Sequence, residues 1–207
     1  MSTRSPLHIF LIRHGETDWN RDGKFQGHTD IPLNERGRVQ SARLQSLVKA
    51  ANIQAFWTSD LSRAHETAKL ASPYSLPIYT DRNLRECRLG DAEGLTDAEQ
   101  RRSFGDLFIN GWRSLENETD WDLRFPGGES SREVVERVIQ IFHTIEGKGF
   151  ERVAITTHGG VIRRVLKHLR IEPLPYFMIS NTLVFKIETE IRGGERVYQL
   201  SPSLPIS

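Results

Sequence analysis

Cysteine is nearly absent from this chain of 207 residues: Cys87 stands alone. One thiol excludes an internal disulfide framework and suits a reducing compartment. Long apolar runs are missing as well, so no segment reaches bilayer-spanning length. The opening Met-Ser-Thr-Arg-Ser-Pro carries no apolar signal segment, and the run at residues 9–12 is too short to serve as one. A cytoplasmic protein with no membrane partner is expected. An excess of charge of either sign is lacking too. With 28 basic and 27 acidic residues the formal net charge is +1, so no whole-molecule field draws a polyanion. The densest basic cluster is Arg163, Arg164, Lys167, His168 and Arg170. It alternates at helical spacing with Val161, Ile162, Val165, Leu166 and Leu169. It reads as the wet side of an amphipathic helix, and no nucleic-acid partner is expected.

What is present is an alternation of short apolar runs and longer amphipathic segments. The length fits a single domain with a core large enough to fold without staples. Strands are predicted at 8–13, 55–58, 77–80 and 152–157. Helices are predicted at 35–51 with Asn34 as N-cap, from Ser59-Asp60 onward, and from the capping-box pattern Ser130-Ser-Arg-Glu133. A further helix follows His158-Gly159-Gly160, and residues 183–191 and 196–200 flank Gly193-Gly194 as a hairpin. Such alternation argues for an α/β sheet covered on both faces. Residues 95–128, with Trp112 and Trp121, are the least regular part. They read as short helices and loops inserted between core elements, a common form of specificity lid.

Residues 9–17 read Ile-Phe-Leu-Ile-Arg-His-Gly-Glu-Thr. Four large apolar residues suit a strand buried on both faces, and Gly15 permits a sharp turn after it. Arg13 and His14 are then at the carboxyl end of a strand, where open α/β sheets bind ligands. An ordinary strand end with two polar residues fits this junction, taken alone, equally well. The second apolar strand, however, ends the same way at His158-Gly159-Gly160, and the strand at 55–58 runs into a helix with Arg63 in its first turn. Two histidines and two arginines would converge near helix N-termini that favour an anion. A phosphate fits such a pocket, and either histidine could attack through one ring nitrogen while the other nitrogen donates to a backbone carbonyl. Arg13, Arg63 and the second histidine, as a cation, would stabilise charge on a transferring phosphoryl group.

Three segments, Leu11-Ile-Arg-His-Gly-Glu-Thr-Asp-Trp-Asn20, Ser59-Asp-Leu-Ser-Arg-Ala-His-Glu-Thr-Ala68 and Thr157-His-Gly-Gly-Val-Ile-Arg163, resemble the histidine phosphatase superfamily, the phosphoglycerate mutase-like group. Phe125-Pro-Gly-Gly-Glu-Ser130 is similar to a stretch common in its small-molecule phosphatases. The resemblance spans nearly the whole chain. It implies one domain, a three-layer α/β/α sandwich around a mostly parallel sheet with an antiparallel edge strand, and hydrolysis of a small phosphorylated metabolite. It also implies that His14 is the nucleophile that becomes phosphohistidine. Arg13, Arg63 and His158 would grip the phosphoryl oxygens, assisted by Asn20 and Thr17, with Gly159 beside them. Gln26 and Gly27 would line the substrate loop, and Glu86 would be the acid/base. Glu16 would be structural. This chemistry needs no metal and no other cofactor, and no metal-ligand spacing is evident.

Departures from the family pattern bear on substrate more than on reaction. Leu89 and Ala92 stand where an aromatic and a Trp are usual in the phosphatases, which implies a wider or less aromatic wall beside the leaving group. Arg88 could fill that space and contact a carboxylate or second anion, or it could simply face solvent. Mutases of the family carry a lysine and an Arg-Arg pair to hold a bisphosphorylated ligand. The corresponding positions here are Asp97 and Trp112-Arg113-Ser114. Hydrolysis is therefore favoured over bisphosphoglycerate-dependent mutase action, with a low-turnover phosphate-recognition protein as the remaining alternative. A homodimer could form through the hairpin edge.

Overall fold

In a computed structural model the described residues are 6–73, 76–171, 179–192 and 195–201. The signal-segment reading at the N-terminus and the Gly193-Gly194 turn lie outside them. Six strands form one sheet in the order β3-β2-β4-β1-β5-β6. They are β1 (Leu7–Arg13), β2 (Ala55–Thr58), β3 (Ile78–Thr80), β4 (Arg152–Thr157), β5 (Val184–Arg192) and β6 (Glu195–Ser201). The first four run parallel, β5 is antiparallel to β1, and β6 antiparallel to β5. The antiparallel edge expected from the sequence is thus present, formed by β6 on β5.

The central strands explain the apolar runs. Ile9, Leu11, Ile12, Val153, Ala154 and Ile155 are fully buried, because helices cover both faces. On one side α2 (Glu35–Ala50) and α3 (Ser62–Ala71) pack over Phe10, Ile12, Phe56 and Ala154; on the other lie α6 (Ser131–Gly147) and α7 (Gly159–His168) over Leu11, Trp57, Val153 and Ile155. This is the three-layer sandwich expected.

Local signals start the helices where predicted. The Asn34 side chain accepts from Gly37 N–H at the start of α2, and Ser130 and Glu133 close a capping box on α6. The polar stretch 18–33 contains one helical turn, α1 (Asp18–Arg21), held by a Thr17–Asn20 capping box. Helix α3 begins at Ser62 rather than at Ser59-Asp60. Its free N–H is met by Asp30, whose Oδ1 accepts from Ser62 N–H at 2.8 Å. Residues 95–128 hold α4 (Asp97–Phe104), α5 (Asp106–Ser114) and a 3₁₀ turn at Glu118–Asp122. This region also contributes to the core: Trp112 is 2% exposed and meets Phe125 edge-on at 5.0 Å.

One sequence reading is overturned here. Arg164 does not belong to the wet side of α7. It is wholly buried, as are Val161, Ile162, Val165 and Leu166 around it. The buried arc of this ten-residue helix is wider than its apolar residues suggest, because it is wedged between the sheet, α6 and Trp112.

Candidate active site

The register of the parallel strands sets the geometry of the site. Arg13 pairs with Thr157, and His14 N–H donates to Thr157 O at 3.0 Å, so the ladder runs level to the strand ends. His14 and His158 leave the sheet side by side, with ring centroids 5.2 Å apart. Thr58 pairs with Thr156 on the neighbouring strand, and Ser59 N–H donates to Thr156 O, which brings the α3 start and Arg63 to the same edge.

His14 is 3% exposed, and its Nδ1 lies 2.7 Å from Gly15 O. A carbonyl can only accept, so Nδ1 carries the proton and Nε2 presents a lone pair. Burial, then the charges of Arg63 and Arg13, hold the imidazole well below the usual histidine range, against the Gly15 hydrogen bond. Asn181 supports this turn by donating to His14 O at 3.0 Å and to Asn20 Oδ1 at 3.1 Å.

His158 differs in tautomer. Arg63 Nε donates to its Nδ1 at 3.3 Å, so Nδ1 accepts and the proton sits on Nε2, which has no partner among the described residues. Burial first, then the charges of Arg63, His14, Arg137 and Arg13, push its pKa well down. The expected cation is thus a neutral N–H donor here, because burial, and after it the neighbouring arginines, disfavours the charged imidazole.

Arg63 is fully buried at the base of the site. Its Nη1 donates to Thr29 O at 2.9 Å and its Nη2 to Gly27 O at 2.8 Å. Burial lowers its pKa to about 10, still cationic at neutral pH. Those carbonyls belong to a loop that Glu93 holds, accepting from His28 N–H and Thr29 N–H at 2.9 Å each. Gly27 (φ +54°) passes so close to Glu93 that a side chain there would collide with the carboxylate. Arg13 donates to Ile179 O. Glu86 is fixed at both oxygens: Oε1 accepts from Cys87 N–H at 2.8 Å, and Oε2 from Gly160 N–H at 3.0 Å.

Arg13, His14, Asn20, Gln26, Gly27, Arg63 and Glu86 line one cavity of ≈ 430 Å³. His158 stands against it beside His14, and Gly159 packs on the Arg13 side chain. Four residues named from the sequence, His158, Gly159, Thr17 and Arg88, are not in the wall itself. Thr17 is buried as the cap of α1, and Arg88 is exposed, held through its backbone N–H to Glu129 Oε1. Glu16 bonds Asn34 and pairs with Arg36, away from the cavity. The wall beside Leu89 is aromatic after all, because Trp112 and Phe25 arrive from other elements. Sequence reasoning missed Arg164, which also lines the cavity. Its position one helical turn after Gly160 was the available signal, since i and i+4 share a helix face. Among the described residues no group of three His, Cys, Asp or Glu side chains could hold a metal ion. Nor is any helix among them long and apolar enough to cross a membrane.

An α/β sandwich with paired histidines and arginines at one sheet edge defines a phosphoryl-binding class of protein. The comparisons narrow it: the family model for the histidine phosphatase superfamily (branch 1) matches residues 9–199, and the chain belongs to that superfamily. Phosphoglycerate mutase-like protein 4 of Arabidopsis thaliana is 39% identical over 181 residues, covering 85% of this chain and 76% of that protein. The uncharacterized phosphatase PhoE of Bacillus subtilis is 35% identical over 162 residues, covering 78% and 76%. A solved mycobacterial glucosyl-3-phosphoglycerate phosphatase shares the fold with a TM-score of 0.81 over 95% of this chain and 98% of that one, at 23% identity.

Proposed function

We propose that the protein is a phosphatase that hydrolyses a small phosphomonoester through phosphohistidine at His14. The observation that carries this reading is the His14 tautomer. With Nδ1–H committed to Gly15 O, Nε2 offers its lone pair to a cavity that also holds three arginines, Arg13, Arg63 and Arg164, and a carboxyl group. In the first step Nε2 bonds to phosphorus and the ester P–O bond breaks. Glu86 gives its proton to the leaving oxygen, and Arg13, Arg63 and the His158 N–H hold the equatorial oxygens. In the second step Glu86 takes a proton from water, the water oxygen bonds to phosphorus, and the P–N bond breaks. Inorganic phosphate leaves and His14 returns neutral.

Hydrolysis rather than mutase action is supported by Asp97. It pairs with Arg113 and bonds Arg101 Nε at 3.0 Å, so the nearest counterparts of a second phosphate site are already neutralised. A Gloeobacter violaceus relative named 2,3-bisphosphoglycerate-dependent phosphoglycerate mutase 2 keeps that mutase as the second reading. We take the chain as a single domain in which residues 95–128 shape specificity. A cytoplasmic setting suits the buried, unpaired Cys87, and the β6 edge is the surface on which a homodimer would form.

The test is inorganic phosphate release from a panel of phosphorylated metabolites, wild type against His14→Ala, with and without 2,3-bisphosphoglycerate. Release that disappears in the variant is expected, together with an acid-labile, base-stable phosphoenzyme seen only in the wild type. No release from any ester would remove the phosphatase reading. Bisphosphoglycerate-stimulated isomerisation of 3-phosphoglycerate would establish the mutase instead.

A further inference from the structure

We propose that Arg164 recognises a carboxylate on the substrate, forming a second anion subsite on α7 beside Glu86; the assignment of that carboxylate to a phosphate ester rests on the phosphatase reading. Arg164 has no exposed surface, yet it contributes to the cavity wall. Its Nε donates to Ser131 Oγ at 2.8 Å and its Nη1 to Gly160 O at 3.1 Å, while its guanidinium carbon sits 4.7 Å from the centre of the Trp112 ring. These contacts hold the planar group in one orientation. Its Nη2 has no hydrogen-bond partner among the described residues, and no carboxylate there lies within 4.0 Å of it. Other arginines of the chain do hold acids: Arg38 pairs with Glu66, Arg85 with Asp60, Arg101 with Asp97, and Arg137 with Glu129.

A buried cation with no counterion is strongly unfavourable, and such groups are normally paired. Ser131 and the Gly160 carbonyl satisfy hydrogen bonds without cancelling the charge. The neighbouring Cys87 thiol, pushed up to about 12 by burial, is neutral and supplies no counter-charge. Glu86 is the neighbouring acid, but it makes no ion pair with Arg164 within 4.0 Å, so Nη2 is left to an anion entering the cavity. A side-chain carbon on Gly160 would lie 3.2 Å from Arg164 Nη1 and 3.0 Å from Glu86 Cδ, so the guanidinium and the carboxyl group flank the same glycine. A doubly charged second phosphate would exceed the single positive charge that Arg164 supplies. A carboxylate brings one negative charge, matches the single cation, and offers a planar oxygen to Nη2. Arg113, the other candidate for a second anion, is already paired with Asp97.

The experiment compares two esters with the same carbon skeleton, 3-phosphoglycerate and glycerol 3-phosphate, which differ in carboxylate against hydroxymethyl. Wild type should show at least tenfold higher kcat/KM for 3-phosphoglycerate, carried mainly by KM. Arg164→Met should reduce that preference to near unity, the loss falling on the carboxylated ester, and Arg164→Lys should keep part of it. No preference in the wild type overturns the proposal without any variant. Equal losses on both esters in Arg164→Met also overturn it, since that pattern marks a residue that only packs against Trp112 or positions Glu86. If neither ester nor p-nitrophenyl phosphate releases phosphate, the phosphatase reading fails. Calorimetric binding of the same two esters to wild type and Arg164→Lys then decides the subsite by the same tenfold criterion.

Discussion

His14, Arg13, His158 and Arg63 were legible in the sequence for one physical reason: each stands at or soon after the carboxyl end of an apolar strand, and three such ends meet at one sheet edge. The contacts that tune them were not, because they come from residues with no local signature. Gly37 is the sharpest case. The first turn of α2 touches the backbone of residues 15–16 so closely that a side-chain carbon on Gly37 would lie 2.7 Å from Glu16 N and closer still to Glu16 O. Both neighbours are backbone, so the strain cannot be relieved by a rotamer change. Gly37→Ala should cost about 2–3 kcal/mol, lowering Tm by roughly 5–10 °C. The shift should also displace Gly15 O, which fixes the His14 tautomer, so kcat should fall as well. A thermal scan and turnover measured on the same preparation check this; an unchanged Tm would mean that the two backbones do not pack this tightly. Arg164 stayed hidden for a different reason. A basic residue on a helix is normally solvated, and it is the packing of α6 and of Trp112, both from remote segments, that buries it.

Elements were legible where capping and periodicity agreed, as in α2 and α6. They were less so where the stabilising partner is distant: α3 starts where Asp30 meets Ser62, not at the local serine. The segment over the cavity belongs to this second kind. Helix α4 opens on Asp97, within a Thr96–Glu99 capping box, and Asp97 joins it to Arg113 at the end of α5. Arg113 in turn lies 5.3 Å from the centre of the Phe25 ring, which lines the cavity. Asp97→Lys removes the acid that neutralises Arg113 and adds a cation. Placing that cation at a helix N-terminus should cost about 0.3–1 kcal/mol of stability. Affinity for 2,3-bisphosphoglycerate should rise about fivefold or more at low salt and fade toward the wild-type value as ionic strength screens the site. Calorimetric titration at two salt concentrations reads both effects. Binding that does not change would mean that Asp97 plays no part in excluding a second phosphate.

At the scale of the whole molecule, the site makes folding pH-dependent. Burial and nearby arginines depress the pKa values of both His14 and His158 well below 6.5. The unfolded chain takes up their protons near pH 6.5, whereas the folded chain stays neutral to lower pH. Between those values the unfolded state binds more protons, so stability is full above about pH 6.5 and falls as the solution is acidified. Each histidine can contribute a slope of up to about 1.4 kcal/mol per pH unit. The carboxylates of Asp60, Glu93 and Asp97 have depressed pKa values and add their own losses at lower pH. His8, His28, His65 and His168, also lowered, share the window between about pH 5 and 6.5, so a single-histidine variant is needed to read one of them. An oxyanion in the cavity should oppose this loss twice, by binding only the folded state and by favouring protonated imidazole next to its negative charge. Urea unfolding at pH 7.5, 6.5 and 5.5, with and without orthovanadate, tests the linkage. Wild type should lose stability across the lower interval, His158→Gln should lose distinctly less, and vanadate should flatten the wild-type curve. Parallel wild-type and His158→Gln curves would show that His158 does not carry the linkage, and with it that burial beside the arginines does not hold this imidazole neutral.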